Sequence, residues 1–242
     1  MASRDEVLKR VRAALEIEPR INLHRYPIHV SLDAGVLTLD GDAQDIAAKR
    51  LAFALAHRIA GVGSVLDRLG VARVTARGDG EILDALSQSL LRELDLKNCS
   101  LRREEKGQVE TLHEAVGDDA SGDITFSVKD GVISLEGHVI SLSHRRIAEV
   151  LAWWVPGCRL VHNRLTVRPP EEDNDGELAD AIRLVLELDV LVHADQIGVN
   201  VVDRVVTLAG VVGSSDERRR AELDVWYVPG VHEVVNMLEL AT

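Results

Sequence analysis

Internal repetition constrains this chain more than any other feature of its sequence. Three segments align without a gap over 44 columns: residues 28–71, 124–167 and 197–240. Self-similarity of this kind is the signature of one structural unit that occurs several times along a chain. The sequence is therefore expected to fold as three copies of one small domain.

Each copy opens with two predicted strands joined by a tight turn. Apolar residues alternate in both strands, as in Ile124, Phe126 and Val128 of the second copy, and this period of two is typical of a strand with one buried face. Asp130-Gly131 is a favoured pair for a two-residue hairpin turn. The polar residues between the apolar ones predict a second sheet face that is largely hydrated.

A helix and a third strand complete each copy. Favourable N-cap residues occupy one column of the alignment: Asp45, Ser141 and Ser214. The helices are expected to stop at Ala60-Gly61, Pro156-Gly157 and Pro229-Gly230, before an alternating last strand. Another amphipathic helix precedes each copy, near residues 5–15, 81–94 and 177–188.

These elements predict an α+β fold with three tandem two-layer α-β-β-α-β domains. Each domain is expected to have a small three-stranded mixed sheet covered by two helices on one face. The predicted domains are residues 1–75, 79–169 and 171–242. The second contains a polar, charged insert at about 97–121, which predicts a mobile loop.

The repeated motifs resemble those of the BON domain family, and the resemblance covers nearly the whole chain. It is carried in the second copy by GVISLEGHV, by Ala148 and Ala152, by VPG at 155–157 and by VHNRLTV at 161–167. The third copy repeats these motifs as VVTLAGVV, VPGV and VVNMLEL, whereas the first has Ala60 in place of the proline and Asp67 in place of the asparagine. The resemblance implies a non-catalytic binding module, with phospholipid as one suggested ligand.

Composition and charge narrow the class of protein and of partner. The chain is 46% hydrophobic and 28% charged, as expected for a globular protein, and its formal net charge is -12. That charge opposes binding to nucleic acid and, more weakly, to an anionic membrane surface. The charged N-terminal residues and the presence of only two cysteines predict a cytoplasmic location.

No recognisable catalytic or metal-binding motif occurs in the sequence. The segment GVGSVLDRLG at 61–70 begins like a dinucleotide fingerprint, but it follows a predicted helix and leads into a strand, which is the wrong context. Cys99 and His113 both lie in the insert without a set of partners for catalysis. The protein is therefore expected to be no enzyme and to have no cofactor or metal.

Two repeated sets of polar residues are candidate binding residues. Asn163, Asn236 and Asp67 share an inward-facing strand column, where they contact a ligand or satisfy backbone groups of the adjoining loop; the second interpretation is preferred. Basic pairs occupy two helix columns: Lys49-Arg50, Arg145-Arg146 and Arg218-Arg219. These pairs bind anions or lipid headgroups, or they meet acidic neighbours on a hydrated helix face.

An apolar strip on two helices is the main candidate interaction face. On a helical wheel it lies outside the stripe that faces the sheet, and its members are Val150, Trp153 and Trp154 in the second copy and Leu223, Trp226 and Tyr227 in the third. Three interpretations remain open: the strips pack against each other or a second subunit, enter a membrane interface, or hold a separate protein or apolar ligand.

The sequence therefore predicts a non-catalytic binding or scaffolding protein that makes contacts through the outer helix faces of copies two and three. The alternative is a peripheral phospholipid-binding protein. The family resemblance also allows an ion or osmotic-stress sensor.

Overall fold

A computed structural model describes residues 3–59, 63–72, 77–117 and 120–241. The chain divides into two compact units, residues 1–72 and 73–242. The first unit holds the first copy of the repeat, and the second unit holds copies two and three together. The predicted helix stop at Ala60-Gly61 lies outside the described residues.

The first unit has one helix before its sheet and one helix between its second and third strands. Its elements are α1 (Arg4–Ile17), β1 (Ile28–Asp33), β2 (Val36–Ala43), α2 (Ile46–Arg58) and β3 (Ser64–Val71). The sheet order is β1-β2-β3, with β1 antiparallel and β3 parallel to β2. Both helices pack on one face of this sheet, because the alternating apolar residues of the strands lie there.

The second unit contains this arrangement twice, with two additional strands in copy two. Copy two comprises α3 (Asp79–Arg92), β4 (Cys99–Glu105), β5 (Gln108–His113), β6 (Gly122–Lys129), β7 (Val132–Val139), α4 (Leu142–Trp154) and β8 (Leu160–Val167). Copy three comprises α5 (Asp175–Leu188), β9 (Ile197–Val202), β10 (Val205–Val212), α6 (Ser215–Tyr227) and β11 (Glu233–Leu240), with a short 3-10 turn at Ala194–Gln196. The predicted α+β class is confirmed, and copies one and three have the predicted α-β-β-α-β order, whereas copy two has the strands β4 and β5 in addition.

Local signals in the sequence fix the helix ends. The side chains of Asp45, Ser141 and Ser214 accept hydrogen bonds from the backbone N–H three residues later, at 2.8, 3.2 and 3.1 Å. These bonds satisfy N–H groups that the first helical turn leaves unpaired. Helices α4 and α6 end just before Pro156-Gly157 and Pro229-Gly230, as predicted.

The insert of copy two is ordered, so the prediction of a mobile loop there is wrong for its described part. Residues 99–113 form the hairpin β4-β5, and β4 pairs in parallel with β6. The sheet of copy two therefore has five strands, in the order β5-β4-β6-β7-β8, instead of the three predicted. Lys106-Gly107 makes the turn with φ of 52° and 80°, which fits a two-residue hairpin.

Hydrogen exchange distinguishes this hairpin from a mobile loop. The amides of β4 are expected to exchange orders of magnitude more slowly than those of an unstructured segment, because β4 is paired on both sides. The edge strand β5 provides the internal comparison, since it pairs on one side only. Exchange of β4 at the rate of a free peptide, followed by mass spectrometry, would contradict the hairpin.

Copies two and three share one helical layer. Helix α4 of copy two packs against α5 of copy three, while α3 packs against α4 and α5 packs against α6. The outer face of α4 is therefore an internal surface of the second unit. This arrangement decides which candidate residues remain accessible.

Candidate functional site

The apolar strip on α4 and α6 is largely covered within the second unit. Val150, Trp153 and Trp226 are 0%, 6% and 1% exposed, whereas Trp154, Leu223 and Tyr227 are half-buried. The indole N–H groups of Trp153 and Trp226 are buried without a hydrogen-bond partner, so these rings contribute through apolar contact. The candidate interaction face narrows to Trp154, Leu223 and Tyr227.

An aromatic contact joins the ends of helices α4 and α6. The rings of Trp154 and Tyr227 meet edge to face, with centroids 6.5 Å apart and planes at 89°. This geometry is favourable because the positive edge of one ring faces the negative face of the other. The two residues occupy the same alignment column, so part of the predicted strip connects copy two directly to copy three.

Arg146 is the polar centre of this junction. Its guanidinium donates to Asp173 Oδ1 at 2.7 Å, to Pro229 O at 3.3 Å and to Glu177 O at 3.4 Å. All three acceptors belong to copy three or to the segment that leads into it, and Arg146 itself is 3% exposed. The donors of Arg146 are thus engaged inside the protein, so the predicted binding of an anion or headgroup at Arg146 would require these contacts to break.

Asp173 receives a second arginine and so closes a small charged cluster. Arg204 donates to Asp173 Oδ1 at 2.7 Å and to its backbone oxygen at 2.6 Å. Burial alone would raise the pKa of Asp173, but the hydrogen bonds and charges of Arg204 and Arg146 outweigh it and lower that pKa. The carboxylate therefore stays ionised at the junction.

The remaining basic residues of the two columns differ in exposure. Arg145 is half-buried beside the junction, and Arg218 and Arg219 are exposed on α6. Arg218 donates to Asn236 O at 3.2 Å. Arg219 occupies the column of Arg146, but on α6 this position is exposed, whereas Arg146 is buried.

An open cleft lies where Arg219 and Leu223 meet the segment after α5. It has a volume of about 610 Å³, and its lining includes Leu191, His193, Arg219, Arg220 and Leu223. Leu191 is 58% exposed, and Leu223 is half-buried. The cleft combines these two leucines with the cationic Arg219 and Arg220 and with the carboxylates of Asp216 and Glu217.

His193 and Glu217 close one end of the cleft. Glu217 accepts from the backbone N–H of His193 at 2.9 Å and lies 2.7 Å from its Nδ1. Hydrogen bonds from His193 and Gly213 outweigh burial and lower the pKa of Glu217, and the same carboxylate raises the pKa of His193. The pair ties the loop after α5 to the first turn of α6.

A buried pair of acids lies in the same copy, and the sequence prediction missed it. Asp189 and Asp224 are 6% and 4% exposed, and Asp224 Oδ2 has no assigned partner. Burial, together with the charge and hydrogen bond of Asp189, raises the pKa of Asp224 to about 8. The sequence does contain a signal for this site, because the alignment column of Asp224 holds leucine in the other two copies, at positions 55 and 151.

The described part of the chain contains few arrangements that suit catalysis or membrane insertion. Its residues include no group of three or more His, Cys, Asp or Glu side chains that could hold a metal ion. Cys99 and Cys158 are both buried thiols, and burial, with the charge of Asp123, raises the pKa of Cys99 to about 11. None of the described helices is long and apolar enough to cross a bilayer.

A family model described as BON domain matches residues 3–73, 107–169 and 174–242. The chain belongs to the BON domain family. The match to three segments confirms three tandem BON-like repeats, and members of the family are generally non-catalytic. A search of curated proteins gave no significant match.

Two solved structures are similar to the chain only weakly. The first is the C-terminal domain of CdsD, a structural protein of the type III secretion system of Chlamydia trachomatis, with a TM-score of 0.26 and 12% identity over all of both chains. A second CdsD structure has a TM-score of 0.25 and 13% identity over 97% of this chain and 92% of that one. Scores this low carry no argument about function.

The asparagine column of the BON repeats has a structural role. Asn163 donates to Arg145 O at 2.9 Å and accepts from Leu165 N at 3.1 Å. Asn236 repeats the pattern with Arg218 O at 3.0 Å and Leu238 N at 3.1 Å. These asparagines satisfy backbone groups, as preferred, but the acceptor belongs to a helix and not to the adjoining loop.

The first BON repeat replaces this amide with an ion pair. Lys49 Nζ lies 2.5 Å from Asp67 Oδ2 and donates to Leu69 O at 2.7 Å, while Asp67 Oδ1 accepts from Leu69 N at 2.9 Å. Lys49 is 4% exposed. The departure from the family pattern at Asp67 is therefore compensated by a lysine in the column of Arg145 and Arg218.

Asn236→Ala is expected to lower the free energy of unfolding of the second unit by about 1–2 kcal/mol, since several hydrogen bonds of about 0.5–1.5 kcal/mol each are lost and a helix carbonyl is left without its donor. Urea denaturation measures the change. Asn200→Ala, at an exposed position of the same repeat, is the control and is expected to have little effect. Equal losses in both variants would contradict the structural role.

Proposed function

We propose that the protein is a non-catalytic binding protein that holds a segment of a protein partner in the cleft of the third BON repeat. The observation that carries this proposal is the exposed Leu191 and the half-buried Leu223 beside Arg219 in an open cleft of about 610 Å³. Binding sites typically combine an apolar surface with a few placed polar groups. The expected partner segment carries an apolar side chain next to a carboxylate.

The geometry favours a protein segment over a lipid surface. Arg146, one of the arginines predicted to bind a lipid headgroup, is paired with Asp173 inside the second unit. Val150, Trp153 and Trp226, which would enter a bilayer, are buried. A side chain that projects from a partner protein can enter a concave cleft, whereas a flat membrane surface follows its shape poorly.

Substitutions in the cleft test this proposal in the full-length protein. The double variant Leu191→Ser with Leu223→Ser removes the two apolar side chains, and Arg219→Glu reverses the charge. Leu94→Ser is the matched control, because Leu94 is 75% exposed but lies outside the cleft. Partners captured by wild type and control are identified by mass spectrometry and then titrated individually.

The expected result is a partner whose affinity falls at least tenfold in both cleft variants, about the effect of losing a contact worth 1.4 kcal/mol. The control is expected to bind like wild type. A partner that binds all variants equally would place the binding surface elsewhere.

The phospholipid alternative rests on the exposed Arg218 and Arg219 beside Leu223. Under this alternative, anionic vesicles are expected to bind the wild type in a salt-sensitive way, and Arg218→Glu with Arg219→Glu abolishes the binding. Titrations with monovalent and divalent cations test the ion-sensor alternative in the same assay series. Vesicle binding without any protein partner would replace the main proposal.

A cytoplasmic location forms part of the proposal. Two buried cysteine thiols suit a reducing compartment, where disulfides rarely form. Subcellular fractionation tests this location, and recovery of the protein outside the cytoplasm would overturn it.

A further inference from the structure

The three sheets differ on the face that the helices leave open. In copies one and two this face carries ionic or polar residues at its centre. Glu136 and Arg164 are paired there at 2.8 Å in copy two, and Asp40 and Arg68 are register partners at the same positions in copy one. Such side chains are typical of a sheet face in contact with water.

The open face of the third sheet is apolar at the same positions. Ala209 and Met237 are register partners in the columns of Glu136 and Arg164. Val211 replaces Asp42 and His138, and Val202 replaces Asp33 and Lys129. Met237 is 60% exposed, Val202 58%, Val211 44% and Val235 40%, so the face is an accessible apolar surface and not a second core.

The alternation of the strands keeps these residues on one face. Ala209 lies opposite Met237 on β11 and opposite Gly198 on β9. Thr207 lies between Val235 and Asn200 in the next row. A contiguous exposed apolar patch of this kind is uncommon on a monomer and marks an interaction surface.

We propose that this face, on the strands β9, β10 and β11 of the third repeat, packs against the same face of a second copy of the chain. The proposal does not depend on the cleft. Two aligned sheets that pack face to face lie about 10 Å apart and bury their facing side chains. A two-fold axis parallel to β10 satisfies the requirement that one patch be complementary to itself.

The distribution of charge selects this axis. Within the described face, the carboxylates are Glu233 and Glu239, both on the edge strand β11. The sheet order β11-β10-β9 places each β11 over the partner's β9, whose outward residues are Gly198, Asn200 and Val202. The two acidic edges therefore do not face each other.

The same charges make an anionic bilayer a poor occupant. Glu233 and Glu239 would approach the lipid headgroups, and the chain as a whole carries a formal net charge of -12. A second copy instead places its strand β9, whose outward residues Gly198, Asn200 and Val202 are uncharged, over these glutamates. The observations therefore favour self-association over membrane binding at this face.

The size of the face sets the strength of the association. Three strands about 4.8 Å apart, over six residues of about 3.3 Å each, cover roughly 14 by 20 Å. A pair of such faces buries less than the roughly 1,200 Å² of a standard stable interface. The dimer is therefore expected to be weak and to depend on protein concentration.

Sedimentation equilibrium of the full-length protein, between about 10 µM and about 1 mM, tests the proposal over the range expected for a small interface. The variant Ala209→Glu with Met237→Arg installs the ion pair that copy two carries at the same positions. The association constant is expected to fall at least tenfold. The control Ile17→Glu with Leu94→Arg adds the same two charges at positions 80% and 75% exposed elsewhere, and its association is expected to match wild type.

A cross-linking measurement keeps the test independent of that variant's folding. Thr207 lies on β10, close to the proposed axis, and Ser134 is its counterpart in copy two. A bis-maleimide with a span of about 10 Å, the spacing of packed sheets, is expected to join Thr207→Cys into covalent dimers and to leave Ser134→Cys monomeric. Wild-type protein that stays monomeric throughout, equal cross-linking of both cysteine variants, or binding of the monomer to phosphatidylcholine vesicles through this face would each overturn the proposal.

Discussion

Replacing Arg146 with methionine is expected to lower the free energy of unfolding of the second unit by about 3 kcal/mol, as when one partner of a buried ion pair is removed. Methionine keeps an apolar side chain of similar length, so the loss of stability is due to the missing guanidinium group. Pro229 O and Glu177 O lose a donor, and Asp173 loses one of its two arginines. Asp173 remains 46% exposed, so water replaces part of the lost interaction and holds the value near the lower end of the usual range.

Tryptophan fluorescence during urea denaturation measures this effect. All three tryptophans of the chain, at 153, 154 and 226, lie in the second unit. Arg219→Met is the matched control, because Arg219 shares the column of Arg146 but is exposed; its expected change is within about 0.5 kcal/mol. Equal changes in the two variants would mean that Arg146 does not hold copies two and three together.

Asp224→Asn is expected to become progressively more stabilising, relative to wild type, as the pH rises from about 4 to about 8. The folded pKa of Asp224 is raised from 3.8 to about 8 by burial and by Asp189. The folded state thus keeps a proton that the unfolded state has already released. The favourable contribution is complete below about pH 4 and is lost as the pH approaches 8, at up to about 1.4 kcal/mol per pH unit.

The asparagine side chain does not titrate, so the variant lacks this dependence of the free energy of unfolding on pH. Its amide still donates a hydrogen bond to Asp189. Urea denaturation at a series of pH values gives the difference between wild type and variant, in which contributions from other groups cancel. Asp216→Asn, an exposed position on the same helix, is the control and is expected to leave the slope unchanged. A difference that is constant from pH 4 to pH 8 would show that Asp224 is ionised throughout.

The repeated units were predictable because each signal is local and occurs three times. The N-caps at Asp45, Ser141 and Ser214 bind the N–H groups that their position implies. Strand alternation in a 44-column alignment leaves little freedom in register, because a shift by one residue would expose every apolar side chain. The BON resemblance follows from the same columns.

The insert was predicted wrongly because its apolar alternation is weak. Leu101 is buried, but the two strands are otherwise rich in charge, and Arg103 bridges Glu110 at 2.6 Å and Asp84 at 3.1 Å. A sheet extension needs backbone partners more than an apolar face, and the exposed edge of β6 supplies them. Lys106-Gly107 was the available hairpin signal.

The burial of the candidate residues could not be predicted from the sequence. The apolar strip and the basic columns were recognised, but a helical wheel cannot distinguish a face that meets the next repeat from one that meets a partner. Arg146 and Arg219 have the same local sequence environment on their helices, and only the position of α5 makes one buried and the other exposed. This difference in burial arises from tertiary packing and leaves no pattern in the local sequence.

The ion pair between Lys49 and Asp67 explains how one copy could diverge without losing its fold. The helix column is basic in all three copies, with Lys49, Arg145 and Arg218. The first copy also carries Phe53 in the column where the other copies carry Glu149 and Glu222, so no carboxylate of that column faces its aspartate. The amides of Asn163 and Asn236 donate to these two glutamates at 3.1 and 3.0 Å. Deamidation, a chemical change that accompanies protein ageing, would therefore place one carboxylate against another in copies two and three. The basic column alone does not make these two copies tolerant of the change that the first copy carries.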